Sequence, residues 1–118
     1  MVDRRKLQDL DDQYEENLRD IRQLRDNLED NYQEFMSTTD RLREHVYQVI
    51  IGQGLDIPQE AQLYLYEMDS NQEQFQAECY RLMDELDERQ ITVRRDYERQ
   101  VEDLYMMVKN QLDNKETK

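Results

Sequence analysis

The chain has 118 residues with a formal net charge of −13; 38% of residues are charged, 36% are hydrophobic, and there are two glycines, one proline, one cysteine and no tryptophan. That length limits it to a single domain, 1–118, the charge disfavours nucleic-acid phosphates and anionic lipid heads as ligands, and one cysteine rules out an internal disulfide. High charge with low hydropathy also describes disordered chains, so periodicity has to decide, and most of the abundant residues here are good helix formers.

The start of the chain, Met1-Val2-Asp3-Arg4-Arg5-Lys6-Leu7, has no apolar run after its charges, so no cleaved signal peptide is expected. From there Leu7, Leu10, Tyr14, Leu18, Ile21, Leu24, Leu28, Tyr32, Phe35, Leu42, Val46 and Val49 recur at steps of three and four, with Thr39 bridging the one larger gap. Positions 7, 14, 21, 28, 35, 42 and 49 are all apolar. A sustained seven-residue repeat marks a coiled-coil-like seam, because 3.5 residues per turn keeps one face toward a partner helix. The spacing predicts a first helix over about 4–50.

Both glycines and the proline fall within Gly52–Pro58, predicting a turn at about 51–57. Gly52 suits the left-handed position that closes a helix. Asp56 with Gln59 fits a capping box, or Pro58 is the first helical residue, the position proline favours. A second helix, about 58–113, repeats the pattern with Ala61, Leu65, Met68, Phe75, Cys79, Leu82, Leu86, Val93, Tyr97, Val101, Leu104, Val108 and Leu112, while Gln72 and Gln90 fill two turns. The spacing slips near Gln90, which predicts a local change of supercoil. The last residues, 114–118, carry no pattern and are expected to fray.

The expected fold is therefore all-α, a long antiparallel two-helix hairpin, coiled-coil-like, each helix about 65–80 Å long at ~1.5 Å per residue. Two helices alone cover only part of each other's apolar face, so a further helical partner is expected. Tyr66, Tyr80, Ile91 and Tyr105 lie together roughly 90–150° from the centre of the second helix's stripe, and Met83 bridges them to the core. Tyrosine combines apolar area with a hydroxyl that stays wet. Those five residues fit a partner-binding line, or else solvent-tolerant shoulders of the core. Asn17, Asn31, Thr39, His45, Gln72 and Gln90 are polar residues in or beside the seam. Of these, Asn17 and Gln72 are expected to set register, the best-attested role of buried polar seam residues, the alternative being simple tolerance at a solvated edge.

Nothing here points to catalysis, a cofactor or a metal. His45 is the only histidine and lacks an acid three residues before it, where Leu42 stands. One His and one Cys do not make a zinc site. Gly52-Gln53-Gly54 is too short for a phosphate loop and lacks the following lysine. Asp9, Asp11, Asp12, Glu15 and Glu16 have no glycine turn for a calcium loop. No stretch approaches the ~20 apolar residues of a membrane span, so a soluble, cytoplasmic protein is expected.

Two long helices around the glycine-containing turn Ile50-Ile51-Gly52-Gln53-Gly54 resemble the small helical hairpins of Gram-positive type VII secretion, though without the tryptophan of the WXG-type turn and with longer helices. The chain looks more like the small helical proteins associated with LXG toxins. The resemblance implies a chaperone-like targeting partner that binds the helical N-terminal domain of an LXG toxin, beside a second small helical protein, and is exported with them. Tyr80-Arg81-Leu82-Met83-Asp84 matches that group's Tyr-x-x-x-Asp export signal in letters, but eight tyrosines among 29 acids give about two such matches by chance. The match also lies mid-helix rather than in the tail, which implies that this chain is the member without the signal. The alternative function is a self-associating scaffold, a homodimer in which two hairpins form a four-helix bundle.

Overall fold

The structure, a computed structural model, describes residues 3–54 and 56–116, the last two by their backbone alone. It is all-α, a hairpin of two long helices, α1 (Arg4–Gly52) and α2 (Gln59–Glu116). Leu55 of the expected turn and residues 117–118 of the expected tail lie outside the described residues.

α1 starts where Asp3 caps it. The Asp3 carboxylate accepts hydrogen bonds from the Arg5 N–H at 2.9 Å and the Lys6 N–H at 3.3 Å, and its carbonyl accepts the Leu7 N–H at 3.0 Å. The first turn of α1 contains no acid, so Asp3 is what satisfies its free donors. At the other end α1 closes at Gly52 but the chain does not yet leave its path. It tightens into three-residue bonds, Gln53 N–H to Ile50 carbonyl (3.3 Å) and Gly54 N–H to Ile51 carbonyl (2.9 Å). The left-handed residue is Gly54, at φ 67°, rather than the expected Gly52. Those tight bonds move the reversal two residues on, and Gly54 takes the conformation that a Cβ would penalise.

α2 opens at Gln59, one residue past the start that Pro58 suggested, and the Pro58 carbonyl accepts the Gln62 N–H at 3.0 Å. The Gln62 side chain bonds back to the Ile57 carbonyl at 3.3 Å. None of the described bonds is a cap from Asp56. α2 continues through Glu116, three residues beyond the expected 113, within the usual spread of helix boundaries.

Contacts divide the chain into two compact units. One joins residues up to Leu24 with those from Glu85 onward; the other is Arg25–Asp84 around the turn. Within the first, Ile21 is the buried anchor, 2% exposed. In the same unit the Tyr14 and Tyr97 rings stack with centroids 4.3 Å apart and planes 13° from parallel. Within the second, Leu65, Cys79 and the bridging Thr39 are buried, and Phe35 packs on Phe75 at 4.2 Å. Such an aromatic contact adds about 0.5–1.5 kcal/mol beyond its area. Most other seam positions are only half-buried, and Leu24, Leu42, Val49, Gln90 and Leu112 are exposed. The seam that the heptads predict is present, but two helices leave most of its side chains partly open to solvent.

Candidate functional site

In the turn unit the two sides of the seam differ in chemistry. On one side a polar cluster ties the helices together. Gln72 of α2 donates from Nε2 to Asp40 Oδ1 of α1 at 3.0 Å, and its Oε1 accepts from Arg43 Nη2. Arg43 in turn pairs with Asp40 at 2.9 Å and with Asp69 of α2 at 2.7 Å. Hydrogen bonds from Gln72 and then Arg43 hold the Asp40 carboxyl below the usual carboxylate range. These bonds place Gln72 opposite Asp40 and Arg43 of α1.

Further along that side, Tyr80 leans on the hairpin. Its ring lies 6.4 Å from Tyr32, and its hydroxyl accepts from Gln76 Nε2 at 3.1 Å. Burial and the neighbouring Tyr80 push the Tyr32 hydroxyl's pKa up. Tyr80 nevertheless remains 58% exposed, Tyr66 is 73% exposed, and Met83 is half-buried. Tyr80 thus serves as both shoulder and surface, whereas Tyr66 presents nearly its whole ring.

The other side of the same seam is apolar and open. Leu28, Phe35, Phe75 and Leu82, with Cys79 buried beneath them, line a groove of about 480 Å³ rimmed by Asn31, Glu34, Thr38 and Glu78. A second groove of about 370 Å³ is lined by Val46, Ala61, Leu65 and Met68 and rimmed by Tyr64, Glu67 and Asn71. Ala61, Tyr64, Met68, Asn71, Phe75, Glu78 and Leu82 follow one another at alternating steps of three and four, so they form one strip of α2. Tyr80 falls on the opposite flank of Cys79, about 100° away. On α1, Leu42 and Val49 continue from Phe35 at seven-residue steps and are 51% and 45% exposed. Burial, and then the Glu78 carboxylate, raise the pKa of the Cys79 thiol, while an Arg81 hydrogen bond lowers that of Glu78.

The sequence places Leu28, Phe35, Phe75, Cys79 and Leu82 in a seam that two helices cover only in part, and it points to the tyrosine line rather than to this flank as the partner surface. The available signal was the seam itself. Its heptads supply more apolar positions than one partner helix can cover, and the excess has to face outward on one side.

In the first unit the Tyr97 hydroxyl donates to Asp11, and this bond, with burial second, raises the Tyr97 pKa. Ile91 and Tyr105 are exposed at 47% and 54%, and Met106, Met107 and Leu112 are exposed as well. Ile91 lines a small cleft with Tyr14, Asp87, Gln90 and Arg94. Asn17 is half-buried and accepts from Gln13 Nε2 at 3.1 Å, a bond that runs along α1 rather than across to α2. Across the seam of this unit the Tyr97 side chain meets Tyr14 and Asp11, which the sequence did not single out as a cluster.

Among the described residues no three His, Cys, Asp or Glu side chains converge as metal ligands would, and His45 lies exposed. No helix among them is long and apolar enough to cross a membrane. Compared with protein-family models, with curated proteins and with solved structures, the chain matches none of them.

Proposed function

We propose that this chain is a non-catalytic interaction protein, a chaperone-like targeting partner that packs against the helical N-terminal domain of an LXG-type toxin destined for type VII secretion. The observation that carries the reading is how little the chain buries by itself. Among the described residues the only buried hydrophobic side chains are Ile21, Leu65 and Cys79, while Leu42, Val49, Tyr66, Tyr80, Ile91 and Tyr105 each stand 45% or more exposed. Apolar area left open at helical spacing is what a partner helix covers. The toxin as partner rests on the resemblance of the two long helices and their glycine-containing turn.

The test is capture of the tagged native chain from its host. Recovery of an LXG-type protein with a second small helical protein supports the reading; recovery of neither overturns it. Light scattering on the purified chain separates the alternative, since a clean homodimer that covers Leu42 and Val49 means a four-helix scaffold. Replacing Tyr80 and Tyr105 by Asp should then weaken capture while helicity persists. Lost helicity would place those two rings in the hairpin's own core.

A further inference from the structure

The line of Tyr66 and Tyr80 and the open groove are different flanks of α2, and the groove's rim carries charges that select an occupant. Its floor in the turn unit is apolar: Leu28, Phe35, Phe75 and Leu82 in one stretch, Val46 and Met68 in the next. The charged residues that line the two stretches are Glu34, Glu67 and Glu78, and no Lys or Arg is among the lining residues of either.

We infer that this groove seats one amphipathic helix of a partner whose apolar ridge is flanked by Lys and Arg, completing a three-helix layer over Arg25–Asp84. The inference rests on the reading of the chain as an interaction protein. A strip of α2 at alternating steps of three and four, with Phe35 and Val46 of α1 lining the same grooves, is the pattern a third helix meshes with, because its own ridge residues recur at the same steps. The carboxylate rim then meets cations where a visiting helix's flanking side chains lie. A second copy of this chain is the poorer fit. It carries the same net charge of −13 and would bring carboxylates against carboxylates at the rim. The polar cluster of Asp40, Arg43, Asp69 and Gln72 occupies the other side of the seam, where it bonds the helices to each other and leaves no comparable apolar floor.

The experiment uses the full chain and two synthetic helical peptides. Both carry leucine at every a and d position; one has Lys and the other Glu at the flanking positions. Fluorescence anisotropy reads affinity, and NMR shifts map the seat. The Lys-flanked peptide should bind about tenfold or more tighter than the Glu-flanked one, because the rim carboxylates attract the flanks of the first and repel those of the second. Its shifts should centre on Leu28, Phe35, Phe75 and Leu82.

Glu78 is already paired with Arg81, so Glu34 and Glu67, both exposed, are the residues to reverse. Glu34→Lys with Glu67→Lys should invert the preference, and unchanged circular dichroism would show that the fold survives. Equal affinity for both peptides, no binding of either, shifts centred on Tyr66 and Tyr80, or indifference to the charge reversal would each overturn the inference. Those results leave capture of the native partner intact if it docks on the tyrosines. Failure of the capture experiment, with the Lys-flanked peptide still binding in the groove, would instead sink the toxin-partner reading alone.

Discussion

Leu65 and Leu42 lie in the same unit and carry the same side chain, yet the first is 7% exposed and the second 51%. Truncating each to alanine therefore isolates burial from chemistry. Leu→Ala removes three carbons, or about 2.4 kcal/mol of transfer free energy at ~0.8 kcal/mol per methylene when burial is complete. For Leu65 nearly all of that is lost. A cavity contribution is added, but it stays small because the groove beside Leu65 opens to solvent and its walls can relax. The expected cost is about 2.5–3 kcal/mol. For Leu42 about half the transfer figure applies, no closed cavity forms, and alanine's slightly better helix propensity offsets a few tenths, leaving about 1 kcal/mol. The gap of about 1.5–2 kcal/mol corresponds to a separation of roughly 1 M between urea midpoints at a slope of ~2 kcal/mol per M. Urea titration followed by far-ultraviolet circular dichroism, at two protein concentrations, measures it. Coincident midpoints for the two variants would refute the reasoning. If the Leu42 variant also became concentration-dependent, a second copy of the chain would be what covers that edge.

Stability should fall at both ends of the pH scale, for opposite reasons. Asp40 and Glu78 have folded-state pKa values below their ordinary ones. Their contribution is present above the ordinary carboxylate range, about pH 4, and is lost as pH falls through the folded-state values; Asp40→Asn should flatten that limb of a stability–pH curve. Tyr97 is raised instead, so its contribution holds below about pH 10 and is lost as pH rises through its folded-state value. Tyr97→Phe should flatten the alkaline limb only in part, because Tyr32 is raised too; an unaltered limb would mean that the Tyr97–Asp11 bond contributes nothing in solution. Gly54→Ala should cost about 1–2 kcal/mol from left-handed strain alone, since a Cβ there meets nothing within 4 Å and φ is +67°. Gly52→Ala, at a helical position with equal room, should be neutral or slightly stabilising in the same thermal melt.

The sequence by itself determined the two helices, their antiparallel reversal and the stripe that joins them. Heptad spacing from Leu7 to Val49, with both glycines and the proline gathered at one place, leaves few other ways to bury those side chains, because helical periodicity and chain breaks are local properties. Gln72 was legible as a seam polar residue for the same reason. Its partners Asp40, Arg43 and Asp69 were not, because a pairing across the seam depends on how far one helix is slid along the other. The same holds for Tyr97 with Asp11 and Tyr14, far apart in sequence and joined only once the register is set. Gly54 rather than Gly52 became the left-handed residue because the last turn of α1 tightened, a competition between bond patterns that spacing does not record. Which side of the seam stays open was decided by the tertiary structure alone. A heptad marks the apolar stripe of each helix, but the flank of that stripe left to solvent depends on the rotation of each helix about its own axis. That rotation is where polar pairing around Arg43 and aromatic packing of Phe35 on Phe75 come into balance.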